Sequence, residues 1–397
     1  MPLLLVSLFC FPWISALAQG IIRASDFDSL QAALDAVPES GGVVQIPPGE
    51  FELREPLIFR TENTRLEGSG AASHLINLNE DGQAALIVRP DGYVTDPKTR
   101  MWRVQLGNFR ISGNPKSGHG VHAQGIQEIF IHGLSVDRNG KDGVYLENCY
   151  EDPRVSDSIL TYNGHSGLHL TDCHDIVVNG NHFEENRDAV RCVDSFNLCT
   201  NGNNLDDHLR HGVVIENTYG SVLSGNMIEE CNGTAIILDR NCYGIAISAN
   251  VIAHELEGGV DLRDAHGCAI SANTFVIVHE FGIRVGPNGG RITISGNNFS
   301  NSYMGGGKLK RVVEHENPMR RDTGSGILLS DTSDINITGN SFSGLSENAV
   351  EAVGECGRLI ISSNLVTDIH RRSVAKKPAF NLGKAYASSI VKDNIVQ

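Results

Sequence analysis

The sequence predicts an all-β repeat fold, one solenoid of about eleven stacked coils. The main observation is a short phrase, a small residue followed by a branched apolar residue, which recurs between residues 119 and 353. The apolar residue of the phrase falls at Val121, Val144, Leu168, Val190, Val213, Ile236, Val260, Ile283, Ile327 and Val350. Successive steps are 22 to 24 residues, except for one step of 44. Such a fixed period is typical of units that bury their apolar faces only by stacking on one another.

The composition is the second observation. The 397 residues are 40% hydrophobic and 20% charged and include 43 glycines, which suits a fold that turns several times in each repeat. Because the repeat covers most of the chain, we expect one domain rather than two or three. The net charge of −15 argues against nucleic acid or an anionic membrane as the main partner, since either needs a basic face. An acidic polysaccharide held by a local basic strip is compatible with this charge.

The first 18 residues predict a cleaved signal peptide. An apolar run from Leu3 to Leu17 ends in the small-x-small pattern Ala16-Leu17-Ala18. The run is shorter than the roughly 20 residues that a membrane-spanning helix needs, and Pro12 interrupts it. We therefore expect a secreted or periplasmic protein cleaved after Ala18, with no membrane-spanning segment elsewhere.

Beyond the signal peptide the sequence contains eight cysteines, an even number that permits disulfides in an exported chain. Cys149 and Cys173, however, occupy the same phase of adjacent repeats, and Cys192 takes an inward apolar position. Buried free thiols are therefore favoured over disulfides. No cysteine or histidine spacing indicates a zinc site.

The first element of the mature chain is a predicted amphipathic helix over residues 29–36, which starts at Asp28 or Ser29 and ends before Pro38. Short strands that end at glycine or proline follow in residues 41–49, 56–59 and 64–68.

The helix at 30–36, the run 41–51 and the segment Leu66-Glu67-Gly68-Ser69-Gly70 resemble the N-terminal cap and first coils of the pectate-lyase-like superfamily. This superfamily contains pectate and alginate lyases, polygalacturonases, rhamnogalacturonases and uronan C5-epimerases. The resemblance continues through the repeats to about residue 395 and implies a single-stranded right-handed parallel β-helix. It divides the mature chain into a cap with the first coils (19–100) and regular coils (101–397), with an inserted loop at 301–323.

An asparagine recurs once per coil as a second marker of the repeat. It stands at Asn181, Asn203, Asn226, Asn250, Asn273, Asn297, Asn340, Asn364 and Asn394. Asparagines at one phase can stack their amides in a ladder and tolerate the left-handed dihedrals of a turn. We assign them a structural role and no catalytic one.

The outward positions of the repeated strand supply the candidate catalytic residues. Strand side chains alternate, so we expect the small residues to line an outward trough and the variable residue of the phrase to point outward beside it. That variable position holds His122, Tyr145, His169 and Arg191 on four successive coils, a span of roughly 14 Å.

Removal of a proton next to a uronate carboxylate needs a base, a cation and an acid. We assign His169, Arg191 and Tyr145 to these roles in that order, with His122 as a further catalytic candidate. The alternative is an ordinary solvated strand face.

Other outward residues and the basic insertion are predicted to bind substrate. They are Glu147, Asp261, Arg263, Arg284, Lys308, Lys310 and Arg311. The insertion contains Gly305-Gly306-Gly307 beside three cations, which indicates a positively charged flap. A plain solvated loop is the alternative.

Pairs of acidic residues recur at 184–185, 206–207 and 229–230, at one phase of three adjacent coils. Like charges this close repel unless they are solvated, protonated, paired with cations or bound to a metal ion. Oxygen-rich clusters suit calcium, which the superfamily often uses to bridge acidic sugars. We predict a calcium site and no other cofactor, with solvated turn charges as the alternative. The predicted ligands are Glu184, Asp206, Asp207 and Glu229.

Two catalytic motifs of the superfamily are matched only in part by this sequence. Gly118-His119-Gly120 and Asp206-Asp207 match two polygalacturonase motifs, but in reversed order and without the other two. The nearest match to the Asp-Pro-His-Asp motif of alginate epimerases is Asp261-Leu262-Arg263-Asp264, with leucine and arginine in place of proline and histidine.

We predict an exported protein that acts on an acidic polysaccharide by lyase or epimerase chemistry. The alternatives are a non-catalytic carbohydrate-binding or cell-surface structural β-helix, and a hydrolase of polygalacturonase type, which would need two carboxylates flanking a glycosidic bond.

Overall fold

The computed structural model describes residues 20–300, 324–370 and 377–397, and these form a right-handed parallel β-helix. The predicted signal peptide and the insertion 301–323, with Lys308, Lys310 and Arg311, lie outside the described residues. Three parallel sheets of 17, 14 and 13 strands run the length of the solenoid. The predicted fold is therefore confirmed, but with about 14 turns rather than eleven. The predicted number was low because the first and last coils stack on the others without carrying the repeated phrase.

The strands follow one another around each turn from the first to the second to the third sheet. The first sheet contains Ile21–Arg23, Gly42–Gln45, Thr64–Glu67, Met101–Gly107, Ile126–His132, Arg154–Ser156, Val177–Asn179, Cys199–Asn201, Val222–Ser224, Cys242–Tyr243, Ala246–Ser248, Ala265–His266, Ala269–Ser271, Gly290–Ser295, Ser333–Thr338, Gly357–Ser362 and Ile390–Lys392. The second sheet contains Gly49–Leu53, Ser73–Asn77, Arg110–Ser112, Ser135–Asp137, Ile159–Thr161, His182–Glu184, Asn204–Asp206, Met227–Glu229, Val251–Ala253, Thr274–Val276, Asn298–Ser300, Ser341–Ser343, Leu365–Thr367 and Ile395–Val396. The third sheet contains Leu57–Phe59, Leu86–Val88, Val121–Gln124, Val144–Glu147, Ser166–Thr171, Asp188–Val193, His211–Glu216, Thr234–Asp239, Gly258–Leu262, Phe281–Val285, Ser325–Ser330, Val350–Val353 and Phe380–Asn381. Short 3₁₀ helices span Ala24–Asp26, Gly70–Ala72 and Gly383–Ser388.

The predicted N-terminal helix is confirmed at Leu30–Asp35. Ser29 caps it, and its hydroxyl accepts a hydrogen bond from the Ala32 backbone N–H at 3.1 Å. The Gln31 side chain bonds both backbone groups of Ile58, at 2.8 and 3.0 Å. The helix is thereby fixed against an early strand of the third sheet and covers the end of the solenoid.

The repeated phrase sets the register of the third sheet. Each apolar residue of the phrase pairs with its counterpart on the next coil throughout Val121 to Val350. Ile283 pairs directly with Ile327, so the step of 44 residues is an insertion between two adjacent strands.

The small residues of the phrase point into the core, so the predicted outward trough is wrong. A Cβ atom built on Gly167 would lie 2.7 Å from the ring of the buried Phe183. Ala189, at the same position of the next coil, is fully buried. Two consecutive residues, the small one and the apolar one after it, therefore face inward where simple alternation would allow one. The residue before the small one consequently faces the outer surface.

The predicted asparagine ladder is confirmed, but the left-handed dihedrals belong to the residue before each asparagine, such as Gly180 and Ala249, and not to the asparagine itself. Each side-chain amide from Asn181 onward donates to the Oδ1 atom of the next asparagine at 2.9 to 3.1 Å, ending at Asn394. A second, shorter ladder of Asn139, Asn163 and Asn186 fills another turn. The ladders satisfy buried backbone groups at each coil.

All eight cysteines of the described chain are free thiols, as predicted, and six of them are buried. No helix in the described ranges is long and apolar enough to cross a membrane.

Candidate functional site

A cleft of about 300 Å³ lies on the outer face of the third sheet. It is lined by Asp142, His165, Ser166, His169, Arg187, Asp188, Arg191 and Arg210. Three columns of side chains build it, because stacked strands repeat each outward position at the spacing between coils. Two columns form the rims and the third forms the floor.

The first rim is the predicted catalytic column. His122, Tyr145, His169 and Arg191 are paired neighbours in the sheet. The rings of His122, Tyr145 and His169 are stacked, with centroids 4.7 Å apart at both steps. His169 and Arg191 line the cleft, and Tyr145 stacks on His169 beside it. The structure thus brings the four predicted residues together, while their catalytic roles stay a prediction.

The floor column was not predicted from the sequence. It consists of the residues that precede the small residue of each phrase, beginning with His119, Asp142, Ser166 and Asp188. The recurrence of these residues before each small residue is visible in the sequence. Strict alternation along the strand, however, predicts that their side chains point inward. Their outward position is a direct consequence of the inward small residues.

Asp142 is the central residue of the floor. Its Oδ2 atom lies 3.1 Å from Nδ1 of His119 and 3.3 Å from Nδ1 of His169, and Oδ1 accepts the Ser166 backbone N–H at 2.8 Å. Burial opposes ionisation, but the hydrogen bonds from both imidazoles outweigh it and hold the pKa of Asp142 well below its usual range. A carboxylate therefore sits behind His169 at all ordinary pH values.

His169 is oriented from both of its ring nitrogens. Nδ1 faces Asp142, and Nε2 lies 3.3 Å from the Thr171 hydroxyl. The network assigns the proton to Nδ1, where it is donated to the carboxylate, and leaves Nε2 as an acceptor. Burial raises the pKa of the neighbouring Tyr145, which keeps its phenol protonated at neutral pH. An oriented base beside a neutral acid is suited to proton transfer.

His122 and Glu147 occupy the far end of the same rim. Nε2 of His122 lies 3.2 Å from Oε2 of Glu147, which also accepts a hydrogen bond from Gln124 at 2.8 Å. The bond from His122 is the main cause that lowers the pKa of Glu147. The predicted substrate ligand Glu147 therefore has two protein partners in this arrangement.

The second rim is basic and was also missed. It carries His165, Arg187 and Arg210 one residue before the floor column, on successive coils. Arg210 donates from Nε to Oδ1 of the buried Asp188 at 2.8 Å, and its Nη2 bonds the other oxygen. Across the cleft, Nη2 of Arg191 lies 2.5 Å from Oε2 of Glu216.

The predicted ligands Asp261, Arg263 and Arg284 form a separate cluster. Asp261 is fully buried, with Oδ2 at 2.7 Å from Nε of Arg263 and Oδ1 at 3.0 Å from Nε of Arg284. Val214 and Ile237 continue the rim between Arg191 and Asp261 and are buried. This apolar stretch separates the cluster from the cleft. The Asp261 carboxylate is occupied by two guanidinium groups and has no exposed surface for a ligand.

The predicted calcium ligands do not meet at one point. Glu184, Asp206 and Glu229 are paired neighbours in the second sheet, whereas Asp207 is exposed at a left-handed turn. Burial and the adjacent acids raise the pKa of Asp206.

Within the described ranges, a single group of three donor residues has ligand atoms within 4.8 Å of one another, namely Glu229, Glu230 and His254. Nδ1 of His254 lies 2.9 Å from Oε1 of Glu229. Of these three residues only Glu229 was a predicted ligand, because nothing in the sequence pattern related His254 to the acidic pairs.

The fold and this cleft define a right-handed parallel β-helix protein with a surface site of histidines, arginines and buried aspartates. The chain belongs to the NosD family, described as periplasmic copper-binding protein, whose model matches residues 107–278 and 155–342. These two overlapping matches cover more than half of the chain. No curated protein matches the sequence.

Solved structures with the same architecture share little sequence with this chain. The pre-mature bacteriophage phi29 gene product 12 is 13% identical with a TM-score of 0.68, and the match covers 84% of this chain but only 50% of that protein. The A-module of the Azotobacter vinelandii mannuronan C-5 epimerase AlgE4 is 14% identical with a TM-score of 0.59, covering 86% of this chain and 99% of the module. The DFA-IIIase of Arthrobacter chlorophenolicus A6 is 16% identical with a TM-score of 0.56, covering 89% and 88%. At these identities the likeness shows the fold alone.

The one group of three converging donor residues in the described ranges does not fit a copper ion well. Copper is favoured by thiolates or by several imidazoles, whereas the converging group of Glu229, Glu230 and His254 offers two carboxylates and one imidazole. The buried thiols of Cys192 and Cys242 belong to no such group of three donor residues in the described part of the chain. No step of the proposed chemistry involves copper.

Proposed function

We propose that this protein is an exported enzyme that removes the C5 proton of a uronate residue in an acidic polysaccharide. The observation that carries the proposal is the Asp142–His169 pair, which lies beside Tyr145 and opens onto a cleft lined by arginines. Catalytic bases are often recognised as an oriented histidine with a buried carboxylate behind it.

Each group has a defined part in this chemistry. Nε2 of His169 takes the C5 proton, and the electron pair of the C5–H bond delocalises into the sugar carboxylate. Asp142 stabilises the imidazolium that forms, and a guanidinium group of the cleft stabilises the negative charge on the substrate.

The two candidate reactions diverge only after this proton transfer. In elimination the electron pair forms a C4=C5 double bond, the C4–O4 bond breaks, and Tyr145 protonates the departing oxygen. In epimerisation a proton must instead reach C5 from the opposite face, which is the side of the second rim, because Tyr145 stands on the same rim as His169. Both reactions therefore depend on the same base, His169.

Two independent facts support an acidic polysaccharide as substrate. The basic second rim is a local exception in a chain with a net charge of −15. Two proteins with this architecture, AlgE4 and AlgE6, are mannuronan C-5 epimerases. The periplasmic description of the family supports export.

The proposal is tested by incubation with a panel of uronate polymers in D2O. Ultraviolet absorbance detects the conjugated product of elimination, and NMR detects inverted sugars that carry deuterium at C5. Neither signal from any polymer, with calcium present, would contradict the proposal and favour the non-catalytic alternative.

We also propose that calcium binds along the acidic ladder. Glu229 is common to the predicted ligands and to the converging group with Glu230 and His254. Calcium takes oxygen ligands and tolerates irregular geometry.

A further inference from the structure

Three arginines line the cleft, and they differ in how their charge is compensated. Arg191 is paired with Glu216, and Arg210 is paired through two nitrogens with Asp188, whose side chain is 3% exposed. Arg187 is exposed and forms no ion pair with the described part of the chain. The cleft therefore presents one uncompensated guanidinium group.

The register fixes where this group lies. Asp188 pairs with Ser166 and with His211, so Arg187 stands between His165 and Arg210 on the second rim. Its backbone N–H donates to the carbonyl oxygen of His165 at 2.8 Å. His169 lies on the opposite rim of the same cleft. A sugar seated between the rims is thus within reach of both side chains.

We propose that Arg187 is the subsite for the single carboxylate of the acidic sugar whose C5 proton faces His169. The choice of an acidic sugar rests on the function proposed above, whereas the assignment of Arg187 rests on the ion pairs of the cleft. A free guanidinium group binds a carboxylate through two parallel hydrogen bonds. Arg187 can do so without giving up any existing ion pair.

Arg210 is a poorer candidate for energetic reasons. Recruiting it would break its bond with Asp188 and leave a buried carboxylate without its cation, which is costly. Arg191 would have to leave Glu216 at 2.5 Å. We therefore assign the carboxylate-binding role, which the sequence predicted for Arg191, to Arg187 instead. Arg191 then forms part of the first rim.

The test compares charged and uncharged ligands on the full chain. Calorimetry measures the binding of mannuronate and galacturonate hexamers, and of the same hexamers with their carboxylates reduced to alcohols. The variants are R187Q, R187K and the remote control R54Q, whose arginine is exposed and lies 3.6 Å from Glu52. Unchanged melting temperatures confirm that each variant is folded.

We expect R187Q to weaken binding of the acidic hexamer about tenfold or more, because a hydrogen-bonded charge pair is lost. Binding of the reduced hexamer should change less than about twofold, since its partner group is already absent. R187K should fall between the wild type and R187Q, as it keeps the charge without the two-pronged geometry. R54Q should match the wild type for every ligand.

The subsite is refuted if R187Q binds the acidic hexamers as tightly as the wild type does. It is also refuted if R187Q weakens the binding of acidic and reduced hexamers equally, or if the wild type binds neither acidic hexamer at millimolar concentration. Failure of the two proposals can be told apart. Binding that depends on Arg187 without any C5 chemistry rejects the reaction alone. Turnover that R187Q leaves unchanged rejects the subsite alone.

Discussion

Replacement of Asp142 by asparagine tests most directly whether the carboxylate orients His169. The carboxylate lies within 2.8 to 3.3 Å of two imidazole nitrogens and one backbone N–H. In D142N an amide NH2 can face Nδ1 of His169, which moves the imidazole proton to Nε2. The nitrogen that should accept the C5 proton is then blocked.

The magnitude follows from the role of the base. General base catalysis contributes about 10²- to 10⁴-fold, so D142N should reduce kcat/KM by about this factor, equivalent to about 3 to 5 kcal/mol. Affinity for the acidic hexamer should change little, because Asp142 lies beneath the sugar and carries no substrate contact in the proposed mode. Initial rates and hexamer binding are measured on the same preparations.

The matched control is D91N, since Asp91 is exposed and lies 3.5 Å from Arg60, far along the chain from the cleft. D91N should retain wild-type activity. The orienting role of Asp142 is refuted if D142N is folded and retains activity within about threefold of the wild type, because the carboxylate cannot then be required.

The remaining predictions concern stability and metal binding. N226A removes four hydrogen bonds of the buried ladder and should lower the free energy of unfolding by about 3 to 5 kcal/mol in urea titrations; a loss below about 1 kcal/mol would contradict the ladder's structural role. His208 is fully buried, and burial lowers its pKa to about 4. Between pH 6.5 and 4 the unfolded chain therefore binds a proton that the folded chain does not, so the free energy of unfolding should fall by about 3 kcal/mol over this range. H208N should extend the short asparagine ladder and remove this part of the pH dependence, which melting curves from about pH 4 to 7 check against the wild type. Burial raises the pKa of Glu255 well above its usual range, so its contribution is lost as the pH rises above about 4.5, and E255Q should be more stable than the wild type at about pH 7 but not at about pH 4. Calcium should raise the melting temperature of the wild type but not of E229Q, with E50Q, an exposed glutamate remote from the ladder, as control; an equal rise in E229Q and the wild type would reject Glu229 as a ligand.

Much of the fold could be predicted from the sequence because each coil needs the same apolar core residue and the same turn residue, so both recur once per coil. The apolar residue of the phrase and the ladder asparagine occupy one register position each, so their period predicted the pairing of strands directly. The phase of the phrase is kept across the step of 44 residues, since Ile283 pairs with Ile327.

The candidate site could be predicted only in part. Its first rim follows from strand alternation, but the small residue of each phrase faces the core, and the residue before it, such as Asp142, therefore lines the cleft. Arg187 was missed for the same reason, since it stands one residue before the floor column. Asp261 is buried because Arg263 and Arg284, which stand on two different coils, bond its carboxylate. A contact between coils of this kind cannot be predicted from the local sequence pattern.

The central claim is that His169 removes the C5 proton of a uronate, and the release of label from C5 tests it most directly. Uronate polymers tritiated at C5 are incubated with the wild type and with H169Q, and tritium in the water is counted. Elimination and epimerisation both release it, so the measurement does not depend on which of the two reactions is completed. We predict release by the wild type and a loss of at least about 100-fold in folded H169Q. No release from any polymer, or equal release by H169Q, would contradict the claim.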